Sequence, residues 1–169
     1  MIVKYAIYSS ALSNIALLAM DGKLFEMKLS EENEISIKKD ILKRFPGASN
    51  DENEFKRLRI LLERYFAGDR VDFFDIELIL PFSTSFTKAV LLQVRKIPYG
   101  ETRSYSWIAE NLGYKTTARP IGQALKKNPI PIIIPCHRVI EKSGKIGGFS
   151  IGTHIKKRLL EIEGINLIG

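Results

Sequence analysis

The sequence predicts an α+β protein: an N-terminal mixed α/β domain with a small sheet, followed by a C-terminal winged helix-turn-helix domain. Three observations lead there. Short β-branched and apolar runs separated by turn residues dominate the first half, whereas helix-length segments with apolar residues three and four apart fill most of the second. Pro81 punctuates the chain between them. The charge divides at the same point. The 169 residues carry 26 Lys and Arg against 19 Asp and Glu, a net of +7. Residues 1–80 hold 12 basic and 14 acidic side chains, a net of −2, and residues 81–169 hold 14 and 5, a net of +9. Two domains are therefore expected, an N-terminal scaffold at 1–80 and a basic C-terminal domain at 81–169. A basic half of this kind suits a polyanion; a solvated basic surface would give the same count, and charge alone leaves both open.

In the first half, Ile2 to Tyr8 and Asn14 to Met20 have strand composition, and Asp21-Gly22 is a hairpin turn leading into a third strand, Lys23 to Leu29. The polar, acidic stretch from Ser30 to Asp40 reads as a loop entering a short helix that stops before Pro46-Gly47. Phe55, Leu58, Leu62 and Tyr65 recur at helical spacing, with Asp51, Glu52 and Glu54 at the start and Gly68 past the end. Val71 to Leu80 reads as a further strand.

In the second half, Ser85 can cap a helix whose face is Phe86, Val90, Leu91 and Val94, ending before Pro98-Tyr99-Gly100. Ser104 can cap another, carrying Trp107, Ile108 and Leu112 and ending at Gly113. Thr116 or Thr117 then opens a third, with Ala118, Ile121 and Leu125 in line. Two short helices across a tight turn outline a helix-turn-helix. Pro120 fits only in the first turn of its helix, and it disfavours the helical conformation at Arg119. Pro129 and Pro131 force extended chain. Val139 to Lys142 and Lys145 to Phe149 flank Ser143-Gly144, the pattern of a β-hairpin wing. A last helix runs from a Thr153 cap through Ile155, Leu159 and Ile162 to Gly164. Lys126, Lys127, Lys142, Lys145, Lys156, Lys157 and Arg158 cluster around these elements as contacts for a phosphate backbone.

Composition excludes several classes. Hydrophobic residues make up 45%, enough for a core. No run approaches the ~18 apolar residues of a membrane span. Met1 to Met20 has a lone Lys4 and no small-residue cleavage pattern, so no secretory signal is expected. One cysteine and two histidines, all within residues 136–154, leave no disulfide framework and no zinc ligand set. A reducing, cytoplasmic compartment, no metal and no cofactor are expected.

The single cysteine lies in Pro135-Cys136-His137-Arg138. A thiol attacks only as thiolate, and a nearby base and positive charge would raise that fraction. Neighbouring side chains point apart in extended chain, so contact between Cys136 and His137 needs a bend or a bridging water. A buried structural cysteine beside a surface histidine has the same sequence. Glu163 is the second oddity. An acid at the C-terminal end of a helix opposes the helix dipole, and its place four residues after Leu159 puts it near the buried edge, where a histidine could partner it. A frayed, solvated helix end is the competing reading.

Ile134-Pro135-Cys136-His137-Arg138-Val139, with Asn128-Pro129 ahead and Gly148-Phe149-Ser150 behind, resembles the methylated-DNA–protein-cysteine methyltransferases, the O6-alkylguanine-DNA alkyltransferases. The resemblance extends over nearly all of residues 82–169, through Tyr99-Gly100, Ser104-Tyr105, Ala118-Arg119 and Glu163-Gly164. It implies that Cys136 accepts the alkyl group from O6 of guanine in double-stranded DNA, irreversibly and once per molecule; whether O4-alkylthymine is a further substrate stays open. It implies that His137 acts as base through a water, that Glu163 orients His137, and that Tyr105 donates to the departing base. Asn128 would tie the helix-turn-helix to the cysteine segment. The damaged base would be flipped from the stack, with Arg119 filling the gap and the helix lying in the minor groove. Ser104, Thr117, Gly122, Gln123 and Lys126 would face the DNA. Pro135, Val139, Gly147, Gly148, Phe149 and Ser150 would line the pocket. The chain is expected to act as a monomer. A non-catalytic winged-helix binder of damaged DNA and a Cys-His hydrolase are the competing classes; the first has no use for Cys136, and the second turns over.

Overall fold

The computed structural model describes residues 1–115, 118–149 and 151–167, and the chain divides into two units, Met1–Pro81 and Phe82–Gly169. The first unit is a four-stranded sheet with two helices. Strands β1 (Val3–Ser9), β2 (Asn14–Met20) and β3 (Lys23–Ser30) form an antiparallel meander, and β4 (Ser49–Asn50) adds in parallel beside β1. Asp21 and Gly22 join β2 to β3 with φ of 49° and 83°. Two consecutive left-handed residues make the mirror-image turn whose twist matches the strands, which is why Asp-Gly stands there. Val3, Tyr5 and Ile7 alternate along β1 with Ala16, Leu18 and Met20 on β2, and this face packs on Ile37 and Ile41 of α1 (Glu34–Arg44).

Two expectations for this unit need correction. The stretch assigned to a loop from Ser30 to Asp40 contains most of α1. Its polar composition hides the helix, but the Asn33 side chain accepts from the Ser36 amide at 2.9 Å as its cap, and Ile37 and Ile41, one turn apart, anchor it. Val71 to Leu80 is not a strand: Asp72 accepts from the Phe74 amide, the Ile76 amide returns to Phe73, and only Leu78 bridges to Leu24 of β3. The acids turn the chain where the apolar residues suggest extension. Helix α2 (Lys56–Phe66) buries Leu58, Leu62 and Tyr65 as their spacing predicts, and Phe55 closes a short 3₁₀ turn in front of it.

In the second unit α3 (Ser85–Arg95) packs against α4 (Tyr105–Asn111) and α5 (Ala118–Lys126). Thr84, not Ser85, caps α3, its hydroxyl accepting from the Thr87 amide at 3.2 Å. Ser104 caps α4 as predicted, accepting from the Trp107 amide at 3.1 Å. In α5 Pro120 sits in the first turn and Arg119 is helical before it; Ile121, Ala124 and Leu125 are buried, whereas Ala118 is exposed. Thr116 and Thr117, proposed to open this helix, lie outside the described residues.

The predicted hairpin is not a ladder. β6 (Val139–Ile140) pairs in parallel with β5 (Arg103–Ser104), and residues 145–149 form no strand. A turn closes at 141–144, and the Glu141 amide donates to the Lys145 carbonyl at 3.0 Å. Helix α6 (Thr153–Ile162) starts one residue after Gly152, which occupies the cap position without a side-chain bond, so Thr153 is not the cap. Its buried residues are Lys156, Leu159 and Leu160. Ile155 and Ile162 lie at the edge of this face.

Candidate active site

The segment leaving α5 is held by one side chain. Asn128 accepts from the Ile130 amide through Oδ1 at 3.0 Å, and its Nδ2 donates to the Ile134 carbonyl at 2.9 Å and to Cys136 Sγ at 3.1 Å. Within the loop thus closed, Ile132 is buried with φ of 74°, a left-handed conformation that an L residue branched at Cβ rarely adopts. Cys136–Arg138 then form a 3₁₀ turn, with the Arg138 amide on the Pro135 carbonyl at 2.9 Å. Three residues per turn fan the three side chains apart. That bend gives Cys136 one environment and sends His137 and Arg138 to another.

His137 and Arg138 meet Glu163 at the end of α6. His137 Nε2 lies 2.5 Å from Glu163 Oε2; Arg138 donates from Nε to Oε1 at 2.8 Å and from Nη2 to Oε2 at 3.1 Å; the Gly100 amide donates to Oε1 at 3.0 Å. Arg138 Nη1 also reaches the Ile97 carbonyl at 2.7 Å. Burial alone would raise the Glu163 carboxyl, but His137 and Arg138 outweigh it and hold it down at about 2. His137 moves the other way. Burial favours its neutral ring and pulls its pKa below the usual value, against the opposing carboxylate.

Cys136 lies on a different wall. Burial pushes its thiol up to about 11, while the Asn128 amide and the Lys156 ammonium pull in the opposite direction. It lines a cavity of about 530 Å³ between α4, α5 and the 141–149 segment, together with Tyr105, Arg119, Gln123, Glu141 and Phe149. Burial, then Glu141 and Cys136, raise the Tyr105 phenol and keep it a donor. A Cβ at Gly147, whose φ is +73°, would lie 2.9 Å from the Tyr105 hydroxyl, so glycine is required there both by the backbone and by the close approach.

Lys156 is the residue that sequence reasoning misplaced. It was grouped with the phosphate contacts, yet it is 1% exposed, and its Nζ donates to the Val139 carbonyl at 2.6 Å and the Gly148 carbonyl at 3.1 Å. Burial lowers it to about 8. The signal was its position three and four residues before Leu159 and Leu160, on the apolar face of α6. Glu141 was missed as well.

The remaining expected residues fall as follows. Arg119, Gly122, Gln123, Lys126, Gly148 and Phe149 join Tyr105 and Cys136 around the cavity. Pro135, Val139 and Gly147 are not in its lining: Pro135 precedes the 3₁₀ turn, Val139 is buried in β6 with its carbonyl on Lys156, and Gly147 backs Tyr105. Ser104 caps α4 and shares a 3.0 Å contact with Ser106. Thr117 and Ser150 lie outside the described residues. Among the described residues no group of three His, Cys, Asp or Glu side chains is arranged to hold a metal ion, and no helix is long and apolar enough to cross a membrane.

Residues 85–165 match the family model of the 6-O-methylguanine DNA methyltransferase DNA-binding domain. The methylated-DNA–protein-cysteine methyltransferase of Methanosarcina acetivorans is 42% identical over 160 residues, 95% of this chain and 97% of that protein. The Archaeoglobus fulgidus protein of the same name is 45% identical over 130 residues, 72% of this chain and 81% of its own length. The crystal structure of Mycobacterium tuberculosis O6-methylguanine methyltransferase superposes with a TM-score of 0.79 at 36% identity, over 96% of this chain and 93% of that one. Mycobacterium tuberculosis OGT in complex with DNA gives 0.80 at 36% identity, over 95% and 92%. With a lone cysteine at the floor of the cavity and relatives this similar along nearly their whole length, the chain belongs to the methylated-DNA–protein-cysteine methyltransferase family.

Proposed function

We propose that this protein repairs double-stranded DNA by moving the alkyl group of O6-alkylguanine onto Cys136 in a single irreversible transfer. The observation that carries the reading is the Cys136 sulfur: buried, open to the cavity, and taking a hydrogen bond from Asn128 at 3.1 Å. A thiol at about 11 is ionised to roughly one part in ten thousand at neutral pH, so a base must act. His137, neutral in its buried site and anchored by Glu163, takes that proton through a water. Glu163 stabilises the imidazolium that results, much as a buried acid supports a catalytic histidine elsewhere. The sulfur attacks the alkyl carbon, the carbon–O6 bond breaks, and the electron pair goes to the guanine. Tyr105 donates to the base as that charge appears. The product is a thioether, and no group in the site reverses it.

Access to O6 requires the damaged base outside the stack, at a cost of a few kcal/mol. Helices α4 and α5 act as a helix-turn-helix with α5 against the minor groove, Arg119 at its start enters the stack, and Gly122, Gln123 and Lys126 follow the groove. Residues 139–149 act as the wing without a ladder of their own, joined to α6 by Lys156. The packing of α4 on α5 and the shared cavity of Arg119 and Cys136 support this arrangement. The test is intact mass after incubation with a duplex containing O6-methylguanine. The protein gains the mass of one methyl group on Cys136, and Cys136→Ala gains nothing. Binding of that duplex without any mass gain overturns the proposal in favour of a damage binder, and repeated turnover on an ester would favour a hydrolase.

A further inference from the structure

The cavity wall carries one acidic residue among the described residues, Glu141. The other four acids of residues 82–169 are elsewhere: Glu163 is internal with His137 and Arg138, Glu101 pairs with Arg103, Glu161 lies beside Arg158, and Glu110 is exposed near the end of α4. Glu141 opens the turn after β6, where the Gly144 amide donates to its carbonyl at 2.9 Å and the Ser143 hydroxyl to its Oε2 at 3.3 Å. Its charge reaches the reacting region, because it raises the proton affinity of both Tyr105 and Lys156.

The cations around the cavity offset only part of it once DNA is bound. Arg119 and Lys126 lie at exposed positions of α5, where duplex phosphates neutralise them, while the Lys156 ammonium, held by the carbonyls of Val139 and Gly148, still acts on both Glu141 and Cys136. When Cys136 loses its proton, thiolate and carboxylate face the same space. Resting on the alkyl-transfer reading, we propose that Glu141 is the specificity-determining residue for the charge of the O6 substituent: it favours neutral and cationic groups and disfavours anionic ones such as carboxymethyl. In each case the sulfur–carbon bond forms, the carbon–O6 bond breaks, the electron pair leaves on O6 and the guanine takes up a proton. Only the charge beside the attacked carbon differs. An anionic substituent then approaches two like charges, the thiolate inside the cavity and the Glu141 carboxylate at an exposed position of its wall, where solvent and salt screen the repulsion in part.

The test is single-turnover transfer at saturating protein, read as mass on Cys136, with duplexes carrying O6-methyl-, O6-carboxymethyl- and O6-(2-aminoethyl)guanine. Glu141→Gln raises the carboxymethyl-to-methyl rate ratio about tenfold and lowers the aminoethyl-to-methyl ratio by several fold, and the effect shrinks at high salt. Glu141→Asp keeps the order of the unmodified protein, since it keeps the charge. A Glu141→Gln protein whose three rates change by one common factor overturns the inference while leaving alkyl transfer intact. Absence of methyl transfer by the unmodified protein overturns the alkyl-transfer reading and this inference with it.

Discussion

The two units treat charge in opposite ways. In residues 1–81 the ion pairs are on the outside, as in Arg44 with Glu26, Arg59 with Glu63 and Arg64 with Asp69, over a core that is apolar. In residues 82–167 the chain takes His137, Arg138, Lys156 and Glu163 inside, and the described buried charges of the protein are all there. Removing a charge from water costs several kcal/mol even when it is paired. A fold accepts that cost where the groups have a task, and the task we propose here is to hold a neutral imidazole beside the cysteine segment.

The sharpest way to break this contrast is to remove one acid from each unit. Glu163→Ala leaves Arg138 buried without its carboxylate and is expected to cost about 3–5 kcal/mol, seen as a large drop in Tm. Glu26→Ala removes a bidentate partner of Arg44, with bonds at 2.8 and 2.7 Å, but in a partly exposed pair, and is expected to cost about 0–1 kcal/mol. Equal losses would erase the distinction. The milder Glu163→Gln is expected to slow alkyl transfer more than it weakens DNA binding; the reverse pattern would make Glu163 structural only.

Leu62 lies fully inside the first unit. Leu62→Ala is expected to cost about 2–5 kcal/mol by denaturant melt, without changing the rate of transfer while the protein remains folded. Asn128→Ala, by contrast, removes the donor to Cys136 Sγ and is expected to slow transfer about tenfold to a hundredfold at saturating duplex. A rate unchanged by this substitution would show that the contact is incidental.

pH tests the same contrast by titration. Glu163 titrates at about 2 in the folded chain against an ordinary 4.5, so the unfolded chain takes up the proton first as pH falls. The stability this carboxylate contributes is complete above about 4.5 and is lost as pH drops toward 2. Lys156, lowered from 10.5 to about 8, has the reverse sign: the unfolded chain keeps its proton longer, so stability rises as pH passes 8. Between pH 8 and 9 this gain is up to about 1 kcal/mol and is absent in Lys156→Met; the Cys136 thiol, raised from 9.0 to about 11, offsets part of it in the same window with the opposite sign. A flat profile in the unmodified protein would place its ammonium in a wetter site than the geometry indicates.

Much of this was legible in the sequence, for reasons that can be named. β1 to β3 are short runs rich in apolar residues, with β2 apolar from Ile15 to Met20, and Asp21-Gly22 states its turn locally. The Cys136 segment was legible because its residues are consecutive. Helix α1 was hidden because one buried stripe of Ile37 and Ile41 is thin against eight polar or exposed neighbours, and the strand expected at 71–80 failed because Asp72 and Asp75 favour turning. Lys156 was misread because a lysine's charge is visible in sequence and its burial is not. The partnership of Glu163 with Arg138 could not be read either, since it depends on the bend at Cys136–Arg138 bringing residues 25 apart together.

Ile132 gives the cysteine loop a mechanical character. Its left-handed backbone is disfavoured for an L residue by about 1–2 kcal/mol, and the side chain sealed in the core keeps it there. The loop is thus a loaded spring whose catch is the burial of Ile130, Ile132, Ile133 and Ile134. Loosening that catch lets the backbone relax toward extension and carries the sulfur, four residues on, away from its seat. Wear in this spring would show first as a slower thiol and only later as a lost fold, so chemical reactivity of Cys136 is the more sensitive gauge of how well the core around it is assembled.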